Sequence, residues 1–293
     1  MSNPWQPDYS LRDHEIVDYG YWELPGSGIR FRGPEVNFED PAPYLVCAGA
    51  AQTFGCFVAR PYPTLLAEQL GMRVVNLGLG SATPSVFSSN DRLLEVINGG
   101  QVLVLQVMAA RQETNSRLEQ LGTDLVHDSR HGDQIPAHMA WQRILDEEPA
   151  ELDRYIAESQ KSWTDDYREL LGHVRVPVVL FFFSVREKDI TVARDAPNAH
   201  AMLEPFPQLV EGASVDTVAA QCDHYVECTS TRNHKHALTS RFTGEPVEVD
   251  NSVLDPRMRN RWRHNWYYPS PEMHEDAAAN LLPVLSVMRS THA

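Results

Sequence analysis

The sequence predicts a three-layer α/β/α sandwich built on a mainly parallel, five-stranded sheet. Five short apolar runs recur along the chain, at residues 44–48, 73–77, 102–108, 176–184 and 224–229. They are continuous rather than alternating, as expected for strands covered on both faces. The segments between them are long enough to cross over the sheet, which parallel neighbours require. Ligands of such a sheet are expected beyond the carboxyl ends of its strands.

The elements follow in order. Residues 17–36 alternate and turn at Pro25-Gly26-Ser27-Gly28, which reads as a hairpin. Residues 1–42 therefore form an N-terminal arm and hairpin packed on one α/β domain, residues 43–293. Helices fit at 62–70, 85–97, 114–121, 136–147, 150–172 and 271–289. The last opens on Ser270-Pro271-Glu272, an N-cap, a proline in the first helical position and an early acid. Residues 231–250 read as a further, late hairpin.

Bulk properties narrow the function classes. A chain of 293 residues with 42% apolar content supports a full core without disulfide staples. Residues 1–14 have no basic start followed by an apolar stretch, and the longest apolar run, 176–185, is too short for a membrane span. The expectation is a soluble, cytoplasmic protein with reduced thiols at Cys47, Cys56, Cys222 and Cys228. A net charge of −15 repels phosphate backbones and anionic lipid, so no nucleic-acid partner is expected. The oligomeric state is not readable. Arginines nevertheless crowd RMRNRWRHN, residues 257–265, leaving a local anion site open.

The stretch CAGAAQTFG, residues 47–55, leaves the first strand through a turn of small residues. After YPTLLAEQLGMRVV comes a second glycine-rich exit, NLGLGSATP, residues 76–84. On these motifs the chain resembles the SGNH (GDSL-like) hydrolases, whose first strand ends in Gly-Asp-Ser and whose second ends in an Asn-Leu-Gly stretch. It also resembles an uncharacterised proteobacterial family carrying GAAQTFG and YYPSPEMH. The first likeness implies a flavodoxin-like sheet and places Gly-Asp-Ser on Gly49-Ala50-Ala51. The nucleophile position is then Ala51, which has no oxygen to acylate. Backbone donors of an oxyanion hole survive such a change, with Gly78 or Gly80 in place. The third block, Gly-x-Asn-Asp, is replaced by QVMAARQETNS, where Arg111 or Asn115 could donate. For the fourth block, Asp-x-x-His before the last helix, the resemblance points to His274, with Glu272 two residues before it. A histidine in a first helical turn leans toward the neutral base.

Other groups have competing readings. Gln52 and Thr53 could face a pocket, Thr53 as a donor or substitute nucleophile. Ser184 and Arg186 follow the fourth strand, where a ligand would be met. NLGLG lacks the Gly-x-Gly-x-x-Gly spacing, so no dinucleotide cofactor is expected. Cys222, His224, Cys228, His234 and His236 do not have the spacing of a zinc knuckle, and no metal is expected.

Two functions fit these residues. One is a group-transfer or hydrolytic enzyme acting on a carbohydrate or its substituents, with His274 as base, Thr53 and Arg111 in the catalytic set, and Gln52, Gly80, Asn115, Ser184, Arg186, Arg261 and Glu272 binding substrate. The other is a catalytically silent protein binding a sugar or an anion. An arginine-lined sulfo- or phosphoryl-transfer site is a variant of the first.

Overall fold

The computed structural model describes residues 8–290 except 123, 255 and 258. The first seven residues of the expected arm and the last three of the chain lie outside the described residues. All five apolar runs are strands: β1 (Tyr44–Gly49), β2 (Arg73–Gly78), β3 (Leu103–Gln106), β4 (Val178–Ser184) and β5 (His224–Thr229). They form one parallel sheet in the order β5-β4-β3-β1-β2. This is the flavodoxin-like strand order, whose direction of winding reverses between β1 and β3.

Helices α1 (Ala51–Phe54), α2 (Tyr62–Leu70), α3 (Asp91–Gly99), α4 (Ala137–Glu147), α5 (Leu152–His173), α6 (Gly212–Ala219) and α7 (Pro271–Ser290) complete the frame. Strand alternation sorts the core onto two faces. Leu45, Cys47, Val104, Phe181 and Phe183 pack with Tyr62 and Leu66 of α2 and with Met273, Ala277 and Leu281 of α7. Val46, Ala48, Leu77, Leu105 and Phe182 pack on the other side with Val96 of α3, Trp163 and Tyr167 of α5, and Val215 of α6. The N-terminal hairpin pairs Trp22–Leu24 with Ile29–Phe31 about the expected turn, and its apolar residues join this second layer.

Several elements depart from the sequence reading, each for a local reason. The helix expected over 85–97 is two helices, because the Asn90 side chain accepts from the Arg92 and Leu93 N–H groups and starts α3 afresh. No helix forms over 114–121. Asn115 Oδ1 instead accepts from the N–H groups of Arg117 and Leu118, and Leu118–Gln120 begins a small antiparallel sheet with Leu125–Asp128 and Asp133–Pro136. The late hairpin over 231–250 shrinks to a single bridge, Thr239 with Pro246. The paired strands there are Val249–Asp250 and Arg261–Trp262. Helix α6, which carries the chain from β4 toward β5, was not anticipated. No helix among the described residues is long and apolar enough to cross a membrane.

Candidate ligand site at the carboxyl edge of the sheet

The winding reversal places the exits of β1 and β3 side by side, and the structure fills that corner from within. Gln106, at the end of β3, is fully buried, and its Oε1 accepts from the Ala50 N–H (3.0 Å), the Thr53 N–H (3.1 Å) and the Thr53 hydroxyl (2.5 Å). Donors that a turn at this place could offer to a ligand are thus held by the chain's own amide. Gly49 is obligatory beneath it, since a Cβ there would run into Thr53 Oγ1 and the Gln106 side chain. The β3 exit is fixed in turn by α5: Tyr167 donates to the Gln106 carbonyl (2.6 Å), and its oxygen accepts from the Met108 N–H (2.8 Å).

Thr53 is fully buried and committed to this network. Its proton goes to Gln106, so the 2.9 Å contact with Tyr62 is a tyrosine O–H donating to Thr53. No base meets the hydroxyl, and the nucleophile reading of Thr53 has no support in the geometry. Gln52 is also buried, with its Oε1 receiving a long bond from Gln106 Nε2 (3.4 Å).

Ala51 lies beneath an aromatic cluster formed by the N-terminal arm and the segment before α7, with Tyr9, Phe54, Phe57 and Tyr268. Tyr268 stands 5.6 Å from Phe57 and 6.4 Å from both Tyr9 and Trp262, ring centre to ring centre. The Arg12 guanidinium is packed among these rings and bonded to Asp13 and Asn251. From the hairpin, Arg32 donates to the carbonyls of Phe54, Gly55, Val58 and Ala59, which pins the chain leaving α1.

His274 is placed elsewhere. It sits within the first turn of α7, fully buried, and its Nδ1 accepts from the Tyr62 N–H (3.1 Å). Its ring lies parallel to Tyr62 and edge-on to Phe183, in the apolar layer between α2, α7 and the sheet. Burial, with the positive charge of Arg32 nearby, pushes its pKa down to about 3. In this setting its Nδ1 is taken by Tyr62, and its Nε2, also buried, has no hydrogen-bond partner. From the segment before the helix it is Tyr268 that joins the Ala51 cluster. Asn265 holds that segment, donating to the Tyr268 carbonyl and accepting from the Tyr267 and Tyr268 N–H groups. Glu272 turns away toward Asn233, which donates to its Oε1 (3.0 Å).

Most of the other expected substrate-binding residues are structural. Ser184 donates to the Phe206 carbonyl, and Arg186 spends its guanidinium on the carbonyls of Glu187, Lys188, Pro207 and Val210. Burial lowers the Arg186 pKa to about 10, and the pair anchors the loop that follows β4. Asn115 builds its own turn and bonds Ser159. Arg261 and Arg263 point outward to Glu248 and Asp250, while Trp262 between them points in; the alternation is that of a strand, and it takes the arginines away from the Ala51 corner. Gly80 is buried in the turn after β2, between Leu79, whose N–H binds the Gly49 carbonyl, and Ser81 at φ +59°.

Arg111 is the expected residue that remains of interest, together with three that sequence reading missed. In the turn after β3, Arg111 pairs with Asp124 (2.5 Å) while its Nε has no partner. Gln112 is buried, and its Nε2 donates to the Ser81 carbonyl (2.9 Å) while its Oε1 has no partner. Gln208 is buried on the loop bonded to this turn through the Ala110 N–H, and its Nε2 donates to the Tyr267 hydroxyl (2.8 Å) while its Oε1 is unpartnered. Buried polar atoms are ordinarily hydrogen-bonded, and four about this turn, Arg111 Nε, Gln112 Oε1, Glu113 Oε1 and Gln208 Oε1, have no partner. Gln112 and Gln208 escaped notice because glutamine is ubiquitous; only their burial distinguishes them.

Comparison with known proteins gives little beyond the shape. Residues 8–118 match the model of a family described as a domain of unknown function, DUF6473. No curated protein matches. Among solved structures, the chain is similar to an α/β hydrolase enzyme, LAE5, from the metagenome of Lake Arreo, Spain, with 14% identity, 84% of this chain and 96% of that one covered, and a TM-score of 0.41. It is also similar to a protein assigned to the G-D-S-L family of lipolytic proteins from Desulfitobacterium hafniense DCB-2, with 12% identity, coverage of 82% and 98%, and a TM-score of 0.37.

Proposed function

We propose that this protein is a catalytically silent, hydrolase-like binding protein that holds a small polar ligand around Arg111, Gln112, Gln208 and Tyr267. The observation that carries the reading is the state of the catalytic corner. The nucleophile position is Ala51, the residue facing it from the segment before α7 is Tyr268, and the nearby turn donors belong to Gln106. Acyl transfer needs a nucleophile and a base within hydrogen-bond reach of it, and Ala51 and Tyr268 supply neither. The anion and sulfo- or phosphoryl-transfer variants lose Arg261 and Arg263 to Glu248 and Asp250. A binding site needs only complementarity, and the unpartnered buried atoms around Arg111 are what supports placing it there.

Native mass spectrometry of the gently purified protein tests this. The expected result is a small-molecule adduct that is lost on denaturation and weakened in a Gln208→Met variant. A protein with no adduct that nevertheless turns over an ester substrate would refute it.

A further inference from the structure

We infer a second site, independent of the one around Arg111: an aromatic cage for a cation above Ala51, closed by the chain's own Arg12, which takes a guanidinium-bearing small molecule when the short helix Tyr9–Asp13 lifts away. The guanidinium carbon of Arg12 stands 4.4 Å from the ring centre of Phe57, 5.3 Å from that of Tyr9, and 5.8 Å from those of Trp262 and Tyr268. A cation within about 6 Å of a ring centre is held by the ring's quadrupole, more strongly where water is excluded. Three of these walls do not belong to the helix. Phe57 lies 5.6 Å from Tyr268 and 6.3 Å from Trp262, and those two lie 6.4 Å apart, so the walls support one another. Asn251 closes one end: its Nδ2 donates to the Asn260 carbonyl (3.3 Å), which leaves Oδ1 to accept from Arg12 Nη1 (2.9 Å).

The placement of charge separates a removable plug from ordinary core. The carboxylate bonded to Arg12 is that of Asp13, the next residue of the same helix. Breaking a buried ion pair is costly when one charge stays behind unpaired. Here both charges ride on five residues and leave together, and the other contacts they give up, with Asn251 and the Tyr19 hydroxyl, are with neutral groups. The helix also lies at the surface, with Leu11 beside Arg12 65% exposed. Phe57 holds φ +64°, in the left-handed region that a phenylalanine rarely adopts. Arg32 of the hairpin, not the helix, binds the Gly55 and Val58 carbonyls on either side of it, so the ring keeps its place when the helix moves. Three ring faces and one amide oxygen select a flat cation that stacks and donates. A guanidinium does both, a quaternary ammonium only contacts the rings, and an anion is repelled by their faces.

Chemical rescue on the full-length chain tests this. Arg12→Ala empties the cage and leaves its rings, Asn251 and Asp13 in place. Ethylguanidinium is expected to raise the Tm of this variant saturably, more than tetramethylammonium at equal ionic strength, whereas neutral ethylurea does not. Adding Trp262→Leu is expected to weaken the rescue roughly tenfold, the loss of one desolvated ring contact. In the wild-type protein the helix competes as a tethered ligand, with an effective concentration of about millimolar or above. Ethylguanidinium in excess of that is expected to speed amide hydrogen exchange in peptides covering residues 9–19. No rescue, equal rescue by ethylurea, or rescue unaffected by Trp262→Leu overturns the cage; unchanged exchange in the wild-type protein overturns the removable helix. If Arg12→Ala does not fold alone, the reading is its refolding yield with and without ethylguanidinium, and no gain in yield overturns the inference.

Discussion

His274 is a histidine at the place where one was sought, yet its surroundings give it another task. Its Nδ1 satisfies the Tyr62 N–H, and its ring fills the layer between α2, α7 and the sheet. The consequence appears in acid. Its folded pKa is lowered from the usual 6.5 to about 3 by burial, so the folded state refuses a proton that the unfolded chain accepts. Stability is therefore complete above about pH 6.5 and lost as pH falls toward 3, by about 1.4 kcal/mol per unit. A His274→Gln variant, whose amide oxygen can still accept from Tyr62, is expected to show a flatter stability profile between pH 6 and 4 in urea titrations. Parallel profiles would contradict the assignment. The residue type at 274 was legible in the sequence, but its burial between α2, α7 and the sheet was not, because that depends on tertiary packing.

Among the elements, the legible ones were those with strong patterns. The strands were readable because both faces of the sheet are covered, leaving runs such as VVLFFFS in β4 without interruption. Helix α6 was missed because GASVDTVA has two turns and a weak apolar stripe. The small sheet that starts at Leu118 was missed because its first strand has three residues and depends on the Asn115 turn. The junction of β1 and β3 carries a testable energy. Gln106 Oε1 is the acceptor for three buried donors, so Gln106→Leu strands all three in an apolar setting. The expected cost is about 3 kcal/mol or more in chemical denaturation. A cost below about 1 kcal/mol would mean that these donors find other partners and that the corner is more open than described.

For the whole molecule, the candidate site exists only through tertiary structure, since Arg111, Gln112, Gln208 and Tyr267 are brought together by the exits of β3 and β4 and the segment before α7. Nothing in the local sequence marks Gln112 or Gln208. The same assembly buries Glu113 against Asp166, and burial together with that carboxylate raises the Glu113 pKa well above its usual 4.5. Here the folded state keeps a proton that the unfolded chain releases, so the contribution is complete below about pH 4.5 and is lost as pH rises through the folded value. Glu113→Gln is expected to gain stability relative to wild type as pH increases, read from denaturation midpoints at pH 6, 7 and 8; a constant difference would contradict the buried pair. The opposing slopes from His274 and Glu113 overlap between about pH 4.5 and 6.5, and the two variants separate them.

The central claim of the proposal, that the corner at the exits of β1 and β3 is catalytically silent, is tested most directly by turnover. Wild-type protein incubated with short-chain and sugar-linked p-nitrophenyl esters should release p-nitrophenol at the protein-free rate. Release well above that rate, abolished by His274→Gln in a folded variant, would contradict the account and restore His274 as a catalytic base.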